Sequence, residues 1–332
     1  MRKFLNITTV LVMALFVQGC AKHRLATRDS FVQVLKTVEI SGCGTDIENA
    51  EEQKCATFAE FSGVGSGSVV WNERSLGGKP RTLVMTADHV CHDSRSQLTQ
   101  DVVPPWVLDD FRRSNGISGD ISFSISGIDI TLRDSRGVEF ESNPVPWLRN
   151  PEADICIIES SINQRALPIA RHEPEFGERV VNISAPYGLM YTNAGGGAVY
   201  ITEGNYSGNF SMRIGARSMY IIWTAPGSSG SPIINERGEV VGLVSAISTL
   251  TWPRMNHPQV GVVTAPSNIT FGPTLEQIRF SVDEAVAALK RGQPFVYMSN
   301  GISRPQQSGT TNNENDGTES EDFLFPYLFE WK

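Results

Sequence analysis

Histidine is scarce in this chain, with five among 332 residues, so any chemistry needing an imidazole base has few places to reside. Basic charge is short as well: 28 Lys and Arg stand against 36 Asp and Glu, for a net charge of -8. Phosphate binding wants a basic surface, so a nucleic-acid partner is excluded. After the first twenty residues no stretch is long and apolar enough to cross a bilayer as a helix. Helical periodicity is missing until about residue 274. Five cysteines are present, yet no third or fourth ligand stands at suitable spacing around them. No metal site is expected, and no cofactor.

What is present is a body of short strands and turns, with 40% hydrophobic residues and 30 glycines, enough for a sizeable core. Phe31 to Ile40 alternates partly and reads as a leading strand. Gly63 to Val103 reads as a hairpin turning through Gly77-Gly-Lys-Pro80. Residues 104 to 118, with Pro104-Pro-Trp106 and Asp109-Asp-Phe-Arg-Arg113, read as a loop insertion. Ile121 to Ser126 alternates cleanly, and Ile128 to Leu132 and Val138 to Phe140 flank a turn at Arg133 to Gly137. Turns every eight to twelve residues or so indicate an all-β sandwich or barrel. The one amphipathic helix runs from Thr274 to Leu289, where Thr274 and Gln277 make a capping box. Beyond residue 299 the chain turns acidic and polar, cannot bury enough apolar surface to fold, and reads as a tail. The tail ends in the aromatic cluster Phe323 to Trp331, which either docks back on the body, meets an unknown partner or touches membrane.

The chemistry centres on Thr224-Ala-Pro-Gly-Ser-Ser-Gly-Ser-Pro-Ile-Ile234. Glycines two residues before Ser229 and directly after it permit a tight turn, on which a hydroxyl points outward and the amides of Gly227 and Ser229 converge. Two such amides make an oxyanion hole. A serine hydroxyl needs a base, and the base needs an orienting carboxylate. His89 ends the apolar run Thr82 to Met85 within Thr86-Ala-Asp-His-Val-Cys91, and Asp154 opens the apolar run Ile155 to Ile158. Rivals stand beside each. His92 lacks the small-residue strand end before it. Asp88 is adjacent to His89, and adjacent side chains on extended backbone face opposite ways. Ser228 competes with Ser229.

The order His89, Asp154, Ser229 and the three contexts TADHVC, ADICII and GSSGSP resemble the chymotrypsin-like serine proteases, with their "TAAH", "DIALL" and "GDSGGP" segments. Asn182-Ile-Ser-Ala-Pro-Tyr-Gly-Leu189 is similar to the "GYPLGL" segment of bacterial HtrA-like members. The resemblance covers residues 60 to 270 and stops there, with no PDZ-like module after it. It implies a two-barrel chymotrypsin-like fold over residues 21–298, split near 160–165 and closed by a helix at 274–290. It also implies a catalytic triad of His89, Asp154 and Ser229, with the Gly227 and Ser229 amides as oxyanion hole and a protein or peptide as substrate. By the family pattern Trp223, Thr224, Ser245, Ala246 and Ile247 line the primary pocket. No acidic residue lies at its base, and Ile247 narrows the entrance, which points to a small or medium apolar side chain. Ser228 stands where the trypsin branch has an aspartate that receives a new amino terminus, so no activating cut is expected.

Residues 1 to 20 read as a targeting segment, with Arg2 and Lys3 ahead of an apolar centre from Leu11 to Val17. Val17-Gln-Gly-Cys20 resembles the lipobox of bacterial lipoproteins, although Gln18 departs from the usual residue there. Either Cys20 is lipidated, giving a membrane anchor, or a plain secretory signal is cut nearby. Both routes export the chain, to the periplasm or cell surface, where disulfides form. Cys43 and Cys55 flank a short loop, and Cys91 and Cys156 each lie two residues past a proposed triad member. Four cysteines allow three pairings, and the sequence does not choose. Three functions stay open: an exported serine endopeptidase, a catalytically silent protease-fold binding module, and a surface or assembly lipoprotein acting through its tail.

Overall fold

The computed structural model describes residues 28–49, 51–73, 81–92, 103–142, 146–188, 191–193, 196–212, 215–252, 263–292, 296–299 and 302–305. The expected leader with Cys20, and the aromatic end of the tail, lie outside them. The first half of the chain supplies β1 (Phe31–Asp46), β2 (Gln53–Glu73), β3 (Arg81–Thr86), β4 (Ile117–Asp134), β5 (Glu139–Ser142), β6 (Pro146–Asn150) and β7 (Ile155–Ser160). The second half supplies β8 (Arg179–Ser184), a small hairpin of β9 (Tyr191–Asn193) and β10 (Gly196–Ala198), then β11 (Tyr200–Met212) and β12 (Gly215–Ile221). It continues with β13 (Pro232–Ile234), β14 (Val240–Leu243), β15 (Ala246–Trp252) and β16 (Val263–Gly272), and closes with β17 (Val296–Ser299) and β18 (Ile302–Pro305).

Two main sheets result. One runs β18-β17-β6-β7-β3-β2-β1-β4-β5, and the other β14-β13-β8-β11-β12-β16-β15. The strands pair antiparallel except β6 with β17. The final pair returns to the first sheet, so part of the segment expected to be tail from residue 299 is a strand, held by its ladder to β17. Each strand pattern follows from its place. β7 is a continuous apolar run because both faces are covered: Ile155, Cys156, Ile157 and Ile158 are fully buried, with Ile278, Val282, Ala285 and Leu289 of the late helix in the same core. β1 alternates, with Val34, Val38 and Ile40 buried and Leu35, Thr37 and Glu39 half-buried.

The sheets are accompanied by the α-helices α1 (Asp88–Cys91), α2 (Pro105–Asn115) and α3 (Leu275–Arg291). α3 starts on the reciprocal Thr274–Gln277 capping box and stops at Gly292 in left-handed conformation. α2 replaces the loop insertion expected at 104–118. Its Pro105 occupies the first turn, where no amide partner is lost, and Gly116 at φ 64° ends it. Two prolines and a charged run hid the spacing of Leu108 and Phe111, which pack with Val103, Ile117 and Ile121 into a separate small core. That core sits on the far end of the long β1–β2–β4 ribbon, which the Cys43–Cys55 disulfide crosses at 2.07 Å.

Candidate active site

The site is assembled where β3 and β7 end side by side. Their register pairs Thr86 with Cys156, so residues just past Thr86 and just before Cys156 emerge at one end of the ladder. Past Thr86 the chain makes the single turn α1, which carries His89. Ahead of Cys156, a tight turn bonds the Asp154 amide to the Pro151 carbonyl at 3.1 Å and holds Asp154 at φ 55°. A non-glycine residue persists in that region only where its surroundings insist on it. A disulfide between Cys91 and Cys156, at 1.99 Å, ties the two elements together.

His89 and Asp154 meet there. Nδ1 of His89 lies 3.0 and 2.9 Å from the two Asp154 oxygens, and the His89 amide donates to Oδ1 at 3.0 Å. The Ser245 hydroxyl donates to Oδ2 at 2.5 Å. Burial alone would raise the Asp154 pKa, but His89 and these donors outweigh it and the carboxyl is held below its ordinary value. For His89 the balance runs the other way. Burial lowers its pKa, yet the adjacent Asp154 charge and hydrogen bond prevail, and the ring is held above 6.5. Lys36, half a strand away on β1, donates Nζ to the His89 carbonyl at 2.9 Å and the His92 carbonyl at 3.3 Å, which fixes α1 from its carboxyl end.

The rivals are accounted for. Asp88 is buried and bidentate to Arg149, at 2.8 Å in both bonds, and so faces away from its neighbour's ring. His92 is exposed. Ser228 is fully buried; its hydroxyl accepts from the Ala225 amide at 3.3 Å and lies 3.2 Å from the Ser184 hydroxyl.

Ser229 sits on a turn that packs against the His89 strand end. Gly230 is at φ 84°, and a side chain there would run into Thr86, Ser66 and the Ala87 amide. Gly227 is at φ 91°, where a Cβ would lie 2.7 Å from the Ala185 carbonyl oxygen and 2.8 Å from the Tyr187 amide. Both glycines are therefore demanded by backbone crowding. Ser66 of β2 is the pin between the halves. Its amide donates to the Ser229 carbonyl at 2.7 Å, and its hydroxyl donates to the Gly227 carbonyl at 2.8 Å. Its own carbonyl accepts from Thr86 Oγ1 at 2.7 Å. The amides of Ser228, Gly230 and Ser231 are spent on Ala225, Val244 and Ser228. Among the described residues, the Gly227 and Ser229 amides and the Ser229 hydroxyl have no hydrogen-bond partner. Two adjacent-but-one amides left open on a turn are what an anionic oxygen would require.

Of the expected pocket residues, Thr224 is fully buried with its hydroxyl 2.7 Å from that of Thr270. Trp223 is 38% exposed. Ala246 and Ile247 are half-buried at the start of β15. Ser245 gives its hydroxyl to Asp154, a contact that sequence reasoning did not anticipate. Ser66 was also missed; its only signal is its place between two glycines, Gly65 and Gly67.

The model of the trypsin-like peptidase domain matches residues 65–243, more than half of the chain, and the chain belongs to that family. It is accordingly a serine-type endopeptidase with an all-β chymotrypsin-like fold and a C-terminal helix, and its substrates are peptides or proteins. No curated protein sequence matches it. Solved structures with similar folds include the active form of the Rv3671c protease of Mycobacterium tuberculosis, 15% identical at TM-score 0.45, covering 79% of this chain and 83% of that one. The serine endoprotease of Yersinia pestis is 16% identical at TM-score 0.44, covering 80% and 66%. The HtrA-type protease AlgW, with a decapeptide, is 14% identical at TM-score 0.47, covering 83% and 68%. The identification rests on the family model.

Proposed function

We propose that this chain is an exported, lipid-anchored serine endopeptidase working through His89, Asp154 and Ser229. The observation that carries the reading is the His89–Asp154 pair at 2.9 Å, set beside a serine turn whose Gly230 lies against Thr86 and Ala87. In this mechanism Ser229 Oγ attacks the scissile carbonyl while His89 Nε2 takes its proton. Asp154 keeps the Nδ1 proton on the ring and stabilises the imidazolium. The Gly227 and Ser229 amides receive the oxyanion. As the tetrahedral intermediate collapses, the C–N bond breaks and His89 returns the proton to the departing amine. Water then enters, gives a proton to His89 and its oxygen to the acyl carbon; as that second intermediate collapses, the Oγ–C bond breaks and His89 returns the proton to Ser229.

The neutral, internally bonded Ser228 supports a turn that forms without a new amino terminus. Ile247 beside the pocket favours a small or medium apolar side chain before the cut. The two disulfides suggest an extracellular or periplasmic location, and the Val17-Gln-Gly-Cys20 motif supplies the anchor. A fluorophosphonate probe tests the site. Wild type should label at Ser229, and His89→Ala and Ser229→Ala should not. A folded wild-type protein that fails to label overturns the reading.

A further inference from the structure

One buried charge near the site is unused by this mechanism. Arg217 lies on β12, in the second sheet, and is 4% exposed. A guanidinium cannot shed its proton in a protein, so its charge must be met where it stands. Its Nη1 donates to the Ala216 carbonyl at 3.0 Å. Its Nη2 crosses to the first sheet's turn and donates to the Glu152 carbonyl at 2.5 Å. Among the described residues no carboxylate lies within ion-pair distance of it. The acidic group whose field acts on it is Asp154, two residues beyond the carbonyl it grips.

The turn it grips is the one that needs holding. Asp154 is at φ 55°, and the turn is tied from within and below by the Asp154 amide to the Pro151 carbonyl at 3.1 Å and the Ala153 amide to Asn150 Oδ1 at 3.2 Å. Arg217 reaches this turn from the opposite half, as Ser245 does at the Asp154 carboxylate, and it brings a charge. We propose that Arg217 is a positioning residue for the Asp154–His89 pair, clamping the Pro151–Asp154 turn and supplying a fixed positive charge behind the carboxylate. The inference rests on the triad reading given above.

Its charge has a definite sign of effect. A cation behind Asp154 favours the carboxylate and opposes the imidazolium, so it keeps His89 from rising as far as Asp154 alone would lift it. The other charges facing the pair are Lys36 from β1, which also opposes the imidazolium, and Asp88 on α1, which favours it and is itself paired with Arg149 of β6. Ser245, from the segment between β14 and β15, is neutral. Removing Arg217 leaves Asp154 with its attraction for His89 and one opposing cation fewer.

The test uses the full chain with Arg217→Met, which keeps the length of the side chain without its charge, and Arg217→Lys, which keeps the charge without the two-carbonyl grip. Titration of the His89 ring by NMR reads the charge without requiring turnover, and fluorophosphonate labelling rate reads the chemistry. Arg217→Met should titrate His89 at higher pH and label about ten-fold more slowly or worse at neutral pH, as expected for a lost charge-assisted bond. Arg217→Lys should return the titration close to wild type while labelling stays slowed. An unmoved His89 titration in Arg217→Met overturns the proposal, whatever the labelling does, because a slower rate alone would be a structural effect. If Arg217→Met does not fold, Arg217→Lys decides: labelling at the wild-type rate overturns the grip. A wild type that never labels defeats the triad reading instead, and the His89 titration shift separates the two failures.

Discussion

The Asp154 carboxylate accepts from the His89 ring, the His89 amide and the Ser245 hydroxyl, so both oxygens are committed. A carboxylate so satisfied stays ionised and fixes the tautomer of its histidine. The pH dependence of catalysis follows from that arrangement. In the proposed mechanism the base must be unprotonated to accept the Ser229 proton, and a ring held above 6.5 remains protonated to correspondingly higher pH. kcat/KM should therefore climb along an acid limb whose midpoint lies above 6.5, measured on a peptide substrate whose own ionisation is silent. A midpoint at or below 6.5 would mean that Asp154 does not dominate its environment. At this scale the sequence was legible where chemistry restricts residue choice. His89 and Asp154 stood at the ends of apolar runs, and Gly227 and Gly230 flanked Ser229. Ser245 and Ser66 were not legible as site residues, because a serine hydroxyl acquires its role from the partner that folding brings within reach.

At the scale of elements, the geometry depends on the β3–β7 ladder, which sets α1 and the Asp154 turn at one end. The Cys91–Cys156 disulfide closes 65 residues across that junction, whereas Cys43–Cys55 closes 12 residues in the outer ribbon. In the chain-entropy model the longer loop contributes about 4 kcal/mol and the shorter about 3 kcal/mol. Replacing Cys91 and Cys156 together by alanine should thus destabilise the protein more than replacing Cys43 and Cys55, as read by urea unfolding without reductant. It should also slow labelling of Ser229, since α1 loses its tether, while the outer pair should leave labelling unchanged. Equal labelling in the two double variants would show that the ladder alone holds α1. α3 was readable from its capping box and its apolar stripe, both local features. α2 was not, because its prolines resemble a loop and its apolar residues are few; the cover of the ribbon's far end makes it a helix.

For the molecule as a whole, the two sheets meet at the site rather than beside it. Ser66 of the first sheet bonds Gly227, Ser229 and Ala185 of the second, and Arg217 of the second bonds the turn before Asp154 in the first. The site therefore exists only when both halves are docked. The polypeptide that carries it is proposed to hang from a membrane by Cys20, and Cys20→Ser tests this. The variant should leave the membrane fraction for the soluble one while Ser229 labels as before. A protein that stays with membranes after a high-salt wash would count against the anchor.

The amino-acid sequence by itself determined the all-β character, the late helix, and the order and local settings of His89, Asp154 and Ser229. These are properties of periodicity, turn chemistry and residue type, which act over a few neighbouring positions. Tertiary structure alone decided which pairs of cysteines bridge, that Asp88 belongs to Arg149, that Ser245 serves Asp154, and that Arg217 reaches across to Glu152. Each of those is a contact between residues tens of positions apart. Such contacts are selected by strand register and by the docking of two sheets, and no local pattern records them.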